Sequence, residues 1–365
     1  MACDYLALAM PGVAALSPYQ PGKPTEELER ELGISNIVKL ASNENPLGPS
    51  PMAVSAMERV MTQTCRYPDG NGFALKAALS EKFDLKPAML TLGNGSNDVL
   101  DIIARAFAGP GVDVVYSQYA FAVYALSTMA VNAKAVVVPA KEWGHDLEAM
   151  LAAISDSTRL VFIANPNNPT GTMLSEAEIR RFLERVPENV IVVLDEAYIE
   201  YQQESDAPDG LRLLPDFGNL IVTRTFSKAW GLASLRVGYA VSNPQLADIL
   251  NRVRQPFNVN SMALAAATAV LDDDAYLQRS VQVNNDGMAQ LQEGFKVQGL
   301  DYIPSRGNFI CVDCGRPAGE VYQALLREGV IVRPVANYGM PNHLRVSIGL
   351  QEENARFIEA LAKVL

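Results

Sequence analysis

Short apolar runs alternate with stretches of helical periodicity between about residue 88 and residue 245. Seven of these runs predict β-strands: MLTL (89–92), VDVVYS (112–117), AKAVVVPA (133–140), LVFIA (160–164), VIVVL (190–194), LIVT (220–223) and VGYAV (237–241). The runs are nearly continuous in apolar residues, which is typical of parallel strands that are covered on both faces. The segments between them predict helices, such as residues 97–108, where the apolar residues fall on one side. The pattern therefore predicts a doubly wound α/β layer with a mostly parallel sheet.

The last third of the chain has a different pattern. A long helical stretch at 261–297 precedes three strand-like runs and one further helix: NFICVD (308–313), GEVYQALLREG (319–329), VIVR (330–333) and LRVSI (344–348). This order predicts a smaller α+β domain.

The chain of 365 residues is about twice the usual length of a domain, so two domains are expected. We place the large domain at 36–245 and the small domain at 246–365. Residues 1–35 are expected to be irregular, with the proline-rich segment SPYQPGKP (17–24) stiff and extended. Such an arm buries little surface by itself, and we expect it to lie on the small domain or on a second subunit.

Composition and charge exclude several classes of protein. The net charge of −11 argues against a surface that binds nucleic acid. No run of about 18 apolar residues is present, so no membrane span is expected. The N-terminal segment carries Asp4 and lacks a basic leader, which makes the cytoplasm the expected compartment.

Cysteine and histidine usage gives little support to metal or redox chemistry. Cys311 and Cys314 form a CxxC pair inside a strand-like run, but no second pair exists and a zinc site normally needs four ligands. His145 and His343 are the two histidines, and neither lies in a ligand or triad pattern. We therefore expect no metal and interpret the cysteine pair as structural.

Three polar residues stand just beyond predicted strands. Asn168 lies in NPNNPTG after LVFIA, Asp195 follows VIVVL, and Lys228 lies in TFSKAWG after LIVT. Parallel strands bring the residues at their carboxyl ends into one shared crevice. An amide, a carboxylate and an amine are therefore expected in one site.

An isolated lysine is usually a solvated surface charge, but the context of Lys228 indicates chemistry. A lysine in a crevice can form a Schiff base with an aldehyde cofactor. Thr225, Ser227 and Arg236 lie close by in sequence, and hydroxyls with a guanidinium suit a phosphate ester. Together these residues predict a site for a phosphorylated aldehyde such as pyridoxal phosphate.

Asp195 would be costly to bury without a partner, and a pyridinium N–H would supply one. Such an acid keeps the ring nitrogen of pyridoxal phosphate protonated, and this cofactor requires an acidic partner of that kind. The alternative is an ordinary helix N-cap. Tyr198 and Asn168 could both donate to the phenolic oxygen of the ring.

Two further features could contribute to the same site. The turn Gly93–Asp98, which contains Gly95, Ser96 and Asn97, joins a strand to a helix, and backbone N–H groups at a helix start bind phosphate. The alternative is an ordinary strand–helix turn. Phe121 could stack on a planar ring, although an aromatic residue there is more often part of the core.

The motifs NPNNPTG, LDEAY and TFSKAWGLASLRVGY, in this order and spacing, resemble the signature of the fold-type I pyridoxal-phosphate aminotransferases. Within them the chain is most similar to the histidinol-phosphate aminotransferase family. The family-specific segments are SPYQPGKP (17–24), LASNENPLGPSP (40–51), RYPDGNG (66–72) and VIVRPVANYGMPNHLRVSIG (330–349). The resemblance extends over nearly the whole chain.

The resemblance implies a role for each candidate residue. Lys228 would be the Schiff-base lysine, Asp195 the partner of the ring nitrogen, and Phe121 the stacking residue. Asn168 and Tyr198 would contact the phenolic oxygen. The phosphate would be held by Gly95, Ser96, Asn97, Thr225, Ser227, Arg236 and, from the neighbouring subunit, Tyr67. The substrate would meet Tyr19, Asn43, Arg333 and Arg345.

The implied reaction converts histidinol phosphate and imidazole-acetol phosphate into each other in L-histidine biosynthesis. The partners would be a small amino donor and 2-oxoglutarate, and the protein would be a homodimer with shared active sites. Three alternatives remain open from the sequence. They are a broad-specificity aromatic aminotransferase, a pyridoxal-phosphate decarboxylase on the same fold, and a ligand-binding protein without activity.

Overall fold

The computed structural model describes residues 3–18, 22–203 and 207–365, and in this part the chain forms three β-sheets flanked by helices. The strands are β1 (Val38–Lys39), β2 (Leu90–Gly93), β3 (Asp113–Ser117), β4 (Lys134–Val138), β5 (Thr158–Ala164), β6 (Ile191–Asp195), β7 (Leu220–Thr225), β8 (Gly238–Ser242), β9 (Tyr302–Ile303), β10 (Phe309–Asp313), β11 (Val330–Ile331), β12 (Arg333–Pro334) and β13 (His343–Ser347). The predicted α/β class is confirmed.

The helices surround these sheets. They are α1 (Tyr5–Leu8), α2 (Pro11–Ala14), α3 (Thr25–Leu32), α4 (Pro51–Met61), α5 (Phe73–Phe83), α6 (Ser96–Phe107), α7 (Ala122–Ala130), α8 (Leu147–Ala152), α9 (Glu176–Leu183), α10 (Pro244–Val253), α11 (Ser261–Val270), α12 (Asp274–Val297), α13 (Ala318–Arg327) and α14 (Gln351–Val364). Among the described residues, no helix has both the length and the apolar character needed to cross a membrane.

The largest sheet has seven strands in the order β2-β8-β7-β6-β5-β3-β4. Strands β3 to β7 are parallel to one another, and β8 runs antiparallel to both of its neighbours. After β3, the next strand in the chain, β4, lies on one side of it at the edge of the sheet. The following strands, β5, β6 and β7, lie in succession on the other side of β3. The strand order therefore reverses between β3 and β5, and ligands bind at such switch points, beyond the carboxyl ends of the strands.

The apolar runs cover both faces of this sheet, as their composition predicts. In β6, Val192 and Leu194 belong to one core cluster, whereas Ile191 and Val193 belong to the cluster on the other face. Adjacent strand residues point to opposite faces, so an uninterrupted apolar run feeds two cores at once. The sheet is thereby a rigid base for the loops at its carboxyl edge.

A second, antiparallel sheet of four strands lies in the last part of the chain, in the order β12-β13-β10-β9. Its core is shared with α12, α13 and α14, which contribute apolar residues such as Phe295, Val321 and Phe357. A further pair of short strands, β1 and β11, is parallel. Residue 38 of the N-terminal part is thereby joined to residue 330 near the C-terminus.

Three local predictions were wrong. Residues 1–35 are not wholly irregular, because α3 forms on the amphipathic sequence TEELEREL, buries Leu28 and ends at Gly33 with φ of 65°. The helical stretch 261–297 is divided into α11 and α12, because the Asp273 side chain accepts from the Tyr276 N–H and starts a new helix. The run VIVR is divided between β11 and β12, which pair in different sheets.

Candidate active site

A cavity of about 200 Å³ lies at the carboxyl edge of the large sheet, next to the switch point. It is lined by most of the residues that the sequence analysis selected: Asn43, Ser96, Asn97, Phe121, Asn168, Asp195, Tyr198, Thr225, Ser227, Lys228, Arg236, Arg333 and Arg345. These residues come from both the large-sheet region and the last third of the chain. The cavity is therefore formed between the two regions.

Lys228 lies in a tight turn after β7, which is closed by a hydrogen bond from the Gly231 N–H to the Lys228 carbonyl at 3.0 Å. Its Nζ donates to the carbonyl oxygen of Ser42 at 3.1 Å. Burial, and then the positive charge of Arg345, lower the pKa of the Lys228 ammonium to about 7, while Glu44 opposes the shift. A fraction of the amine is therefore neutral near physiological pH, which is the form that acts as a nucleophile or a base.

Asp195 is the last residue of β6 and is 4% exposed. Its Oδ2 accepts a hydrogen bond from the Tyr124 hydroxyl at 2.9 Å, and its Oδ1 accepts one from Thr223 Oγ1 at 3.0 Å. Burial raises the pKa of Asp195 to about 6, and both hydroxyls oppose this shift. The carboxylate is therefore ionised above that pH, it lines the cavity, and none of the described residues forms an ion pair with it.

The hydroxyl oxygen of Tyr198 accepts hydrogen bonds from two side-chain amides. It accepts from Asn43 Nδ2 at 3.0 Å and from Asn168 Nδ2 at 3.2 Å. Burial raises the pKa of Tyr198 to about 12, so the hydroxyl keeps its proton. Since both amides approach its oxygen, the phenolic hydrogen is available to a ligand in the cavity.

Residues that suit a phosphate group converge at the N-terminus of α6. Gly95 precedes this helix with φ of 86°, and a Cβ built on it would lie 2.3 Å from Arg236 Nη2. A side chain at position 95 would be strained at this φ and would displace the guanidinium from the turn. Arg236 also donates to Ser227 Oγ at 3.2 Å. Ser96 begins the helix and lines the cavity, so free N–H groups, a hydroxyl and a guanidinium lie together.

Arg345 enters the cavity from β13 and is 8% exposed. Its Nη1 donates to Asn168 Oδ1 at 2.6 Å, and its Nη2 donates to the Ala41 carbonyl at 3.0 Å. Its buried Nε has no hydrogen-bond partner among the described residues. Arg333 is the residue opposite Arg345 in the β12–β13 pair. Two guanidinium groups thus adjoin one end of the cavity.

Three further candidates have different outcomes. Phe121 lines the cavity and meets the Tyr124 ring edge-on, with centroids 5.9 Å apart. Tyr67 does not line it; the side chain is 82% exposed and stacks on Phe257 at 4.8 Å. Tyr19 lies outside the described residues.

Two of the cysteine and histidine side chains, Cys311 and His145, have hydrogen-bond partners within the protein. Cys311 is buried, and its Sγ donates to the Pro169 carbonyl at 3.0 Å. Burial raises the pKa of Cys311 and of Cys314 to about 12. His145 Nε2 is 2.9 Å from the Ala164 carbonyl. Within residues 3–18, 22–203 and 207–365, no group of three acidic, histidine or cysteine residues could hold a metal ion.

Several residues of the site were not predicted from the sequence. Tyr124 and Thr223 contact Asp195, Ser42 contacts Lys228, and Tyr338 lines the cavity. Thr223 could have been found, because it is the polar residue that ends the predicted strand LIVT. Tyr124 and Ser42 carry no such signal, since their contacts depend on how distant segments pack.

The comparisons with known proteins agree with this geometry. The family model "Aminotransferase class I and II" matches residues 35–361. The relative named histidinol-phosphate aminotransferase 2 from Pseudomonas fluorescens (strain Pf0-1) is 64% identical over 100% of this chain and 99% of its own length. A protein of the same name from Pseudomonas aeruginosa is also 64% identical, over 99% of both chains.

A solved structure extends the comparison. Histidinol-phosphate aminotransferase from Sinorhizobium meliloti, crystallised in complex with pyridoxal-5'-phosphate, has a TM-score of 0.89 to this chain at 31% identity. The match covers 98% of this chain and 97% of that one. The family model spans most of the chain, and the relatives match it over nearly its whole length. The chain therefore belongs to the class I and II aminotransferases and, among them, to the histidinol-phosphate aminotransferase family.

Proposed function

We propose that this protein is a pyridoxal-phosphate-dependent transaminase that interconverts histidinol phosphate and imidazole-acetol phosphate, with 2-oxoglutarate and glutamate as the second pair. The step belongs to L-histidine biosynthesis. One observation carries the proposal: the amine of Lys228 and the carboxylate of Asp195 line the same cavity, which is also lined by Ser96, Ser227 and Arg236. The substrate follows from the names of the relatives.

The residues present fit pyridoxal phosphate. The close approach of Arg236 to Gly95 brings a guanidinium to the start of α6, beside the Ser227 hydroxyl, where it could hold a phosphate group. Asp195 offers a buried carboxylate to a protonated ring nitrogen, and Phe121 offers a ring to stack on. Tyr198 and Asn168, which line the same cavity, would donate to the phenolic oxygen. When bound, pyridoxal phosphate supplies an electron sink for the charge that develops at the substrate Cα.

Lys228 does the proton transfer in this proposal. With pyridoxal phosphate bound, its neutral amine would take the proton from the substrate Cα and, as the ammonium, would then donate it to the cofactor. The lowered pKa of about 7 suits both halves of this task, because the group must gain and lose a proton near neutral pH. The carbonyl of Ser42, 3.1 Å from Nζ, fixes the direction of the amine.

The substrate end of the cavity favours an anion. Arg345 carries a buried charge and an unused Nε, and Arg333 lies opposite it in the sheet. Guanidinium groups bind phosphate oxygens in a bidentate manner, which suits histidinol phosphate. Asn43 holds the Tyr198 hydroxyl at the same end. An α-carboxylate of an aromatic amino acid would also be accepted by Arg345, so the substrate must be tested directly.

We also propose a homodimer in the cytoplasm, with no nucleic-acid or membrane partner. The exposed aromatic side chains of Tyr67 (82%) and Phe73 (77%) support a second copy at this surface. Tyr67 would then reach the cofactor phosphate of the neighbouring subunit. Tyr19 would border the substrate pocket in the same way.

The test is a panel of amino donors assayed with 2-oxoglutarate and pyridoxal phosphate, with kcat/KM measured for each. Histidinol phosphate should exceed phenylalanine and tyrosine by at least about a hundredfold, since a phosphate offers Arg345 and Arg333 more charge and more acceptor oxygens than an α-carboxylate does. A preference for phenylalanine would instead indicate a broad aromatic aminotransferase. Carbon dioxide release without 2-oxoglutarate would indicate a decarboxylase, and absence of any spectral change with cofactor and donor would indicate a binding protein.

A further inference from the structure

Each oxygen of the Asp195 carboxylate accepts a hydrogen bond from one hydroxyl group. Tyr124 donates to Oδ2 at 2.9 Å and Thr223 donates to Oδ1 at 3.0 Å. A carboxylate has about four acceptor sites, so two remain for a group in the cavity. The two donors fix the plane of the carboxylate without blocking its open side.

The ring of Tyr124 is fixed independently of its hydroxyl. The side chain is fully buried and stacks on Phe162, with centroids 4.7 Å apart and an angle of 7° between the rings. It also meets Phe121 edge-on at 90°. The Tyr124 ring thus packs against the residue expected to stack on the cofactor, while its hydroxyl contacts the acid expected to bind the ring nitrogen.

The direction of this hydrogen bond is set by charge. Burial and the negative charge of Asp195 raise the pKa of Tyr124 well above its usual value, and Tyr198 adds to the shift. Tyr124 therefore remains a donor at every pH at which the enzyme works. The other groups near the Asp195 carboxylate are Thr223, which does not titrate, Tyr198, whose pKa burial raises to about 12, and Lys228, which lines the same cavity as Asp195.

We propose that Tyr124 is a positioning residue for this reaction: its hydroxyl orients the Asp195 carboxylate toward the ring nitrogen of the cofactor, while its ring supports Phe121. The inference rests on the proposed function, because the ring nitrogen belongs to pyridoxal phosphate. It adds a residue outside the cavity lining, 71 positions away from the acid in the sequence.

The variant Tyr124→Phe separates the two roles, because it removes the hydroxyl and keeps the ring. We would titrate apo-protein with pyridoxal phosphate from about pH 6 to about pH 9, following the cofactor absorbance. A lost hydrogen bond to a charged group should weaken binding at least about tenfold. The loss should be larger at the acid end, since Asp195 without this donor takes up a proton more readily.

Two further variants complete the design. Thr223→Val removes the other donor and should produce a similar loss. Tyr116 belongs to the same core cluster as Tyr124, and the centroids of the two rings are 6.4 Å apart. Tyr116→Phe removes a hydroxyl that does not contact Asp195, and this variant should bind the cofactor like the wild type. Melting temperatures of the apo-proteins show whether each variant has folded.

Two results would overturn the inference. One is wild-type affinity in Tyr124→Phe while Thr223→Val is impaired. The other is a loss that is equal at every pH and follows the melting temperature, which would indicate a purely structural role. If the wild-type protein itself fails to bind pyridoxal phosphate, the proposed function is wrong, and the role of Tyr124 falls with it.

Discussion

The guanidinium of Arg345 donates to the Oδ1 of Asn168 at 2.6 Å, and the Nδ2 of the same amide donates to the Tyr198 hydroxyl at 3.2 Å. An arginine of the last sheet therefore sets the orientation of an amide that follows the large sheet. Because the two ends of an amide cannot exchange roles without losing both bonds, Arg345 also decides which way Asn168 faces.

This relationship gives a first prediction. Arg345→Lys keeps the charge but cannot donate to Asn168 and to the Ala41 carbonyl in the same fork geometry. We expect kcat/KM for histidinol phosphate to fall by roughly ten- to a hundredfold, as for a lost hydrogen bond from a charged group. The matched control is Arg252→Lys, at an exposed ion pair with Asp248, and it should not change the rate. Equal rates in both variants would contradict the assignment.

The second prediction concerns the turn after β7. Lys228→Ala removes the amine that accepts the Cα proton, and steady-state turnover should fall by at least about 10⁴-fold. Initial rates with histidinol phosphate and 2-oxoglutarate measure this. Lys134→Ala, which changes a side chain that is 72% exposed, serves as the control. Activity near the wild-type level in Lys228→Ala would exclude the proposed role.

The third prediction is a pH dependence. The ammonium form of Lys228 cannot accept a proton, so kcat should decline as the pH falls below about 7, where this group titrates. Glu44 raises the pKa of Lys228, so Glu44→Gln should move this limb of the profile to lower pH. Glu188→Gln alters an exposed carboxylate elsewhere and should leave the profile in place. A shift toward higher pH in Glu44→Gln would have the wrong sign.

The fourth prediction concerns stability. Glu196 of the LDEAY motif is 1% exposed and accepts from Arg224 Nη2 at 2.7 Å, next to the Arg224–Asp209 pair. Glu196→Ala removes one of the two carboxylates that neutralise the buried guanidinium of Arg224. The free energy of unfolding should fall by about 3–5 kcal/mol. Glu148→Ala breaks the exposed pair with Arg185 and should cost about 1 kcal/mol or less. Urea unfolding of both variants measures the difference.

The fifth prediction tests the shared active site. If Tyr67 acts across a dimer, a hybrid of Lys228→Ala and Tyr67→Ala subunits has one site with both changes and one site with neither. Mixing the two impaired variants, with subunit exchange, should then restore activity. If Tyr67 acts within its own chain, every site in the hybrid carries one change and no activity returns. Sedimentation gives the state of association in the same samples.

The sequence by itself determined the α/β class and the positions of Asn168, Asp195 and Lys228 at or just beyond the carboxyl ends of strands. In a strand made of a continuous apolar run, both faces are apolar, so both must be buried. Parallel strands bring their carboxyl ends to the same edge of the sheet. The break at Asp273 and the helix at 25–32 were not predicted, although an aspartate N-cap and an amphipathic segment that ends at Gly33 are local signals for them.

The tertiary structure decided which side chains touch. Arg345 and Asn168 are 177 residues apart, Lys228 and Ser42 are 186 apart, and Asp195 and Tyr124 are 71 apart. None of these pairs follows from periodicity, because a hydrogen bond depends on the distance and angle between two atoms, which only the packing of the whole chain sets. The sequence thus specifies the chemical groups near the cavity, and the packed structure specifies how each one is oriented.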